Sequence, residues 1–161
     1  MTTVVRTHKV LVNAPLQSTF DYVSDLTRHP EWSGGELKIE ALTPGPVVVG
    51  KEYFSRGEVA VQKDRPNKVK ITHYEPPHQF GFVANDPDFG DVSHVFTFKE
   101  QNGGVLIERR MTVSLHPIVA VLFRFLIYPF IGRPSMEKSM AALKTRLEKN
   151  SEVSAHQADR S

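Results

Sequence analysis

The residues with most chemistry to offer are His94 and Arg109, and their interest comes from register. Asn102-Gly103 is the strongest short signal for a two-residue hairpin turn, and it makes Gln101 pair with Gly104. Counting back along both strands, Phe98 faces Ile107, Phe96 faces Arg109, His94 faces Met111 and Val92 faces Val113. Directly opposed residues project to the same side of a sheet. The apolar set therefore shares its face with an imidazole and a guanidinium, while Glu108 and Arg110 fall on the other face. A symmetric loop about Pro76-Pro77 would set Val69 opposite Ala84, Ile71 opposite Phe82 and His73 opposite Phe80, adding a second imidazole to that face. An arginine cannot shed its proton there, so it needs an acidic partner such as Glu58 or Glu108, or water, or a ligand. With a ligand, Arg109 could polarise a carbonyl oxygen while His94 or His73 moved protons.

Other chemistry is poorly supported. Tyr53-Phe54-Ser55-Arg56-Gly57 has the Ser-x-Gly end of a nucleophile elbow but lacks the first glycine and sits within a strand. Asp86-Pro87-Asp88-Phe89-Gly90-Asp91 is spaced wrongly for a calcium loop, with Thr97 where the twelfth-position glutamate is required, so a tight inter-strand loop is expected. The chain has no cysteine, which excludes disulfides, thiolate catalysis and cysteine-based metal sites. The 7 histidines include no close pair at ligand spacing on a helix, and there is no glycine-rich phosphate cradle; neither metal nor cofactor is expected. A net charge of +2 gives no electrostatic case for nucleic acid, and Lys63, Arg65, Lys68 and Lys70 read as a solvated face.

These residues must be positioned by a long run of strands. The expected strands are 4–12, 37–42, 51–62, 67–74, 79–84, 92–99 and 105–115, separated by turn signals that include Arg65-Pro66-Asn67 and Pro76-Pro77. One helix interrupts the run at 13–27. Asn13 and Pro15 suit its start, Leu16, Phe20, Val23 and Leu26 share one face, and His29-Pro30 ends it. A lone antiparallel sheet has one apolar face to bury, and the C-terminal helix, with Met136, Met140, Leu143 and Leu147 on one stripe, is the element left to cover it. The 118–131 segment is apolar on every side and too short to span a bilayer, and it is expected to fold over the open end of the sheet. Residues 1–149 make one domain, and the polar 150–161 tail is expected to be disordered. The N-terminus lacks a basic-then-apolar signal pattern, which points to the cytoplasm.

The stretch VLVNAPLQSTFDYVSDLTRHPEW, with its strand, Ala-Pro-initiated helix and His29-Pro30-x-Trp32, resembles the start of START/Bet v 1-like helix-grip (SRPBCC) proteins. Within that superfamily it is most similar to the polyketide cyclase/dehydrase-like group, over about 4–149. The resemblance implies an α+β fold: a seven-stranded antiparallel sheet curved around a long C-terminal helix, with short helices after the first strand. Members use the apolar cavity between sheet and helix for lipid transport, hormone binding, ring-closing chemistry or chaperone regulation. No cyclase motif carries over residue by residue, and Arg109 only resembles the cavity arginines of aromatase/cyclase members.

The expected function is binding, with or without transport, of a small hydrophobic ligand such as a lipid, isoprenoid or aromatic polyketide. Its lining would be Arg109, His94, His73, Phe80, Phe82, Phe96, Phe98, Ile107, Met111 and Met140. Two other readings stay open. One is a cyclase/dehydratase-type enzyme using the same cavity, favoured if Arg109 points inward with a histidine in reach. The other is an interaction module docking on a membrane surface or a protein through 118–131, favoured if that surface is exposed.

Overall fold

The computed structural model describes residues 1–34, 36–59, 62–86 and 90–159, and the side chains of all of these except 58, 59 and 62–65. Seven strands form one antiparallel sheet: β1 (Thr2–Val12), β2 (Lys38–Ala41), β3 (Glu52–Val59), β4 (Gln62–Glu75), β5 (Gln79–Asp86), β6 (Gly90–Gln101) and β7 (Gly104–Leu115). From β2 to β7 each strand pairs with the next, and β1 returns to pair with β7 from Thr2 opposite Leu115 to Val12 opposite Val105. After β1 come α1 (Leu16–Ser24) and a 3-10 turn (Leu26–Glu31). From Pro117 to Ala158 the chain is helical, as α2 (Pro117–Leu122), a π-helical segment (Phe123–Gly132) and α3 (Arg133–Ala158). This is the helix-grip α+β architecture.

The β6–β7 hairpin has the register that Asn102-Gly103 dictates. The two turn residues take φ of 51° and 77°, the left-handed values of a primed turn. Phe98 lies opposite Ile107, Phe96 opposite Arg109 and His94 opposite Met111. The β4–β5 hairpin starts as expected, with Val69 opposite Ala84 and Ile71 opposite Phe82. A bulge between Ile71 and His73 then shifts the register, so that His73 pairs with Gly81 and Tyr74 with Phe80. One extra residue turns every later side chain over.

Three other expectations change. Arg65-Pro66-Asn67 is not a turn: Pro66 lies inside β4 opposite Arg56, in the part of the strand beyond the last β5 pair at Lys68, where an edge tolerates a residue without an N–H. The helix expected over 13–27 is two shorter pieces. Asp25 leaves helical geometry and its carboxylate accepts the Thr27 N–H at 3.0 Å, which starts the 3-10 turn. At the far end, α3 runs on through Ala158, so residues 150–158 are helix where a disordered tail was expected.

The core lies on the face carrying Val12, Phe80, Phe82, Phe96, Phe98 and Ile107, and it is covered by Phe20 and Val23 of α1, Leu26 and Trp32 around the 3-10 turn, and Met140, Leu143 and Leu147 of α3. The 118–131 segment does not join it. Ala120 and Tyr128 are its buried residues, while Ile118, Phe125 and Phe130 are 75%, 65% and 74% exposed. The expected fold over the sheet's end is reduced to a small cluster of Val4, Val113, Leu115 and Ala120 with Val92 and Phe123.

Candidate functional site

Arg109 projects into the core side of the sheet. It is 9% exposed, while Glu108, its chain neighbour, faces the other way and pairs with Lys9 at 2.8 Å. Among the described residues no carboxylate meets the guanidinium, and Nε has no hydrogen-bond partner. Glu58, the other acidic candidate, has its side chain outside those described. The contacts Arg109 does make are weak or apolar. Nη2 donates a long 3.4 Å hydrogen bond to His94 Nδ1, and the guanidinium carbon stands 5.3 Å from the Phe96 ring centre and 5.9 Å from that of Trp32. Burial lowers its pKa from 12.5 to about 10, with Tyr128 acting in the opposite sense, so the group remains a cation at neutral pH.

Three histidines surround this charge, and all are driven toward the neutral form. His94 titrates well below the ordinary 6.5, through burial first and the Arg109 charge second. Because Arg109 donates to Nδ1, the geometry assigns the proton of His94 to Nε2. His29, on the 3-10 turn, is held down to about 3 by burial, although its 2.8 Å bond to the Val23 carbonyl acts in the other direction. That bond places the proton of His29 on Nε2 as well. His8 sits opposite Arg109 on β1 and is lowered by burial and by the Arg109 charge. His8 Nε2 and the Tyr128 hydroxyl share a 2.5 Å hydrogen bond, which ties the π-helical segment to the sheet.

The chemical character of the cluster follows. Arg109 N–H and His94 Nε2–H are donors, the lone pair of His94 Nδ1 is already engaged, and His8 Nε2 is occupied by its bond with the Tyr128 hydroxyl. Such a set suits an oxygen that carries or develops negative charge and is poorly suited to abstracting a proton. His94 is a weak base here for two reasons: its free nitrogen is protonated and its imidazolium is disfavoured.

The expected residues divide accordingly. Arg109, His94, Phe80, Phe82, Phe96, Phe98, Ile107, Met111 and Met140 are all buried on the core side. His73 is not among them. The bulge places it against Gly81, where an added Cβ would come within 2.9 Å of His73 Nδ1, so it lies on the opposite face and Tyr74 takes its place against Phe20. Sequence reasoning missed His8, His29, Trp32 and Tyr128 as neighbours of the charge. The alternation of Val4, Arg6, His8, Val10 and Val12 was the available signal for His8.

The aromatic face is also fuller than expected. His29 and Trp32 pack edge-to-face into it, with His29 5.7 Å from Phe82 and Trp32 6.3 Å from Phe96, centre to centre. A cleft of about 850 Å³ lies elsewhere, between α1 and the far end of α3, lined by Gln17, Asp21, Tyr22, Asn150 and Ser154 among others. Its wall mixes apolar groups, Pro15, Leu147 and Ala155, with the charged Asp21, Asp25 and Arg28, and no residue of the Arg109 cluster lines it.

Known proteins share this architecture. The profile of a family described as polyketide cyclase / dehydrase and lipid transport matches residues 1–148. The chain belongs to that family. Among solved structures, the protein TTHA0849 from Thermus thermophilus superposes with a TM-score of 0.72 at 17% identity, covering 92% of this chain and 99% of that one. Norcoclaurine synthase from Thalictrum, solved as a point mutant in complex with a transition-state analogue, gives 0.69 at 16% identity over 92% of this chain and 96% of its own. The di-domain ARO/CYC StfQ of the steffimycin biosynthetic pathway gives 0.69 at 11% identity, covering 92% of this chain and 52% of StfQ, so the chain spans about half of that protein. At these identities the likeness is one of fold. No curated protein matches the sequence.

Proposed function

We propose that the protein binds a small, largely apolar molecule carrying an oxygen-bearing head, with the head on Arg109 and the apolar body against the core-side aromatics. The observation that carries this is the buried guanidinium, which has no carboxylate partner among the described residues and an Nε–H with no acceptor. A charge kept in a core at such cost is most simply explained by a ligand that answers it. The family description, which includes lipid transport, agrees with that chemistry. Phe82 and Met111, at 7% and 8% exposed, flank His94 and are the apolar contacts nearest to solvent.

The test is a titration of wild type and Arg109→Met with a fatty acid and with a hydrocarbon-like dye. Methionine keeps apolar volume but loses the donors, so fatty-acid affinity should fall by roughly 1.5–3 kcal/mol while dye affinity holds. Equal losses for both ligands would point to damage to the fold, and no loss for either would remove Arg109 from the site.

One observation favours a second reading, catalysis, namely the inward Arg109 with His94 at 3.4 Å. In that version Arg109 and the His94 Nε2–H polarise a carbonyl oxygen of a poly-β-keto chain, and the acidified α-carbon loses its proton to solvent or substrate rather than to His94. A cyclised product peak on incubation with such a substrate, lost in Arg109→Met, would establish turnover.

A further inference from the structure

The 117–132 segment leaves an apolar helical surface uncovered, and its composition restricts what can cover it. We propose that it docks on the surface of an anionic lipid bilayer. Ile118, Leu122, Phe125 and Phe130 are exposed at 75%, 46%, 65% and 74%, on a single helical stretch rather than scattered singly. Between Glu108 and Glu137 the sequence has no acidic residue, and Arg124 stands exposed among the apolar side chains. Arg133, also exposed, closes the segment and pairs with Glu137 at 2.7 Å. Aliphatic and phenylalanine side chains can enter the acyl boundary while the Arg124 stem extends to the headgroups, which seats the exposed surface at a membrane interface.

The fold excludes spanning and disfavours a second copy. Pro117–Ala158 is long and apolar enough to cross a bilayer by length and composition. Both of its flanks, however, are built into one body: Leu115 pairs with Thr2 at the end of β7, and Met140 and Leu143 lie in the core with Ile107. Tyr128, in the middle, is bonded to His8 on β1. A crossing helix would separate elements that pack together, so the segment must lie in the interface plane. A second copy would present the same Arg124 and no unpaired carboxylate from the segment to meet it, whereas phosphatidylserine headgroups supply that charge. The inference stands apart from the ligand reading, because it needs no occupant at Arg109.

Flotation of the full chain with phosphatidylcholine vesicles, with and without phosphatidylserine, tests it. Binding should strengthen with the anionic lipid, by about 5-fold for the one unpaired arginine of the segment, and weaken with salt. Arg124→Gln should lower the partition coefficient roughly 5-fold. Phe125→Glu with Phe130→Glu should abolish flotation, and since both side chains are exposed the double variant should keep the wild-type thermal midpoint. Phe125→Trp gives a second readout: its emission should shift blue on anionic vesicles and be quenched by brominated acyl chains, whereas Trp32, 2% exposed, should not respond. No flotation with either lipid, flotation unchanged in the glutamate variant, or a dimer dissolved by those glutamates in a protein that ignores vesicles would each overturn the proposal.

Discussion

The buried Arg109 guanidinium, without an ion pair among the described residues, should cost the fold stability. Its charge is buried, its pKa is lowered to about 10 by that burial, and its contacts are one long bond to a neutral imidazole and two aromatic faces. Cation–π contact returns part of the desolvation cost, and no ion pair among the described residues returns the rest. Arg109→Met should therefore raise unfolding stability by ~1–3 kcal/mol in the absence of ligand, measured by urea denaturation at neutral pH. A loss of stability would show that the arginine is a structural strut, and would weaken the case that a ligand completes it. This residue and His94 were legible because Asn102-Gly103 fixes their register from a few positions away. His8, Trp32 and Tyr128 were not, because β1–β7 pairing, the 3-10 turn and the π-helical segment bring them in from distant sequence, where no local pattern announces proximity.

Among the elements, legibility followed turn chemistry. The β6–β7 hairpin was readable pair by pair, and β4–β5 was readable up to Ile71. The bulge after Ile71 was not, because it satisfies no hydrophobic pattern in β4: moving His73 outward brings Tyr74 inward, and both are amphipathic. Three residues of the α3 stripe reach the core, Met140, Leu143 and Leu147 at 3%, 0% and 4% exposed, while Met136 is only half-buried and stays outside it. The length of α3 was underestimated because composition after Asn150 is polar, while a helix already nucleated in a core propagates through polar residues at little cost. Two truncations separate these roles. A chain ending at Pro134 loses three buried side chains worth roughly 1.5–3 kcal/mol each and should show no cooperative unfolding transition. A chain ending at Asn150 keeps them, together with the Glu148 carboxylate that accepts from Lys144 and from the Asn13 N–H, and should stay within about 0.5 kcal/mol of full length. A large loss in the second chain would mean that the cleft between α1 and α3, lined partly by Ser151 and Ser154, is a packing interface the core depends on.

For the whole molecule, the sequence made a sheet-and-helix cavity the natural expectation, whereas His29 and Trp32 from the 3-10 turn fill much of the space between the layers. That filling has a measurable consequence through proton linkage. His29 has its pKa lowered from 6.5 to about 3, and His94 is lowered well below 6.5, chiefly by burial in both cases. Above the unfolded value both states hold these imidazoles neutral, so stability is then independent of their titration. As pH falls below 6.5 the unfolded chain takes up protons that the folded chain refuses, and unfolding is favoured. Stability is thus present above pH 6.5 and lost toward the folded values, at a slope approaching ~2.7 kcal/mol per pH unit for two protons. Half-buried His8, lowered for the same physical reasons, adds to the same side. Urea midpoints at a series of pH values between neutrality and the carboxylate range should show this decline beginning near the histidine value, before the carboxylates contribute. His29→Gln can still donate to the Val23 carbonyl but cannot titrate, so it should remove about one proton, roughly 1.4 kcal/mol per pH unit, from the slope. A wild-type slope below about one proton would mean that water reaches both imidazoles, and the aromatic layer would then be loose enough to open a cavity by thermal motion alone. A two-proton slope would instead describe a closed layer, in which a ligand must displace His29 or Trp32 to reach Arg109.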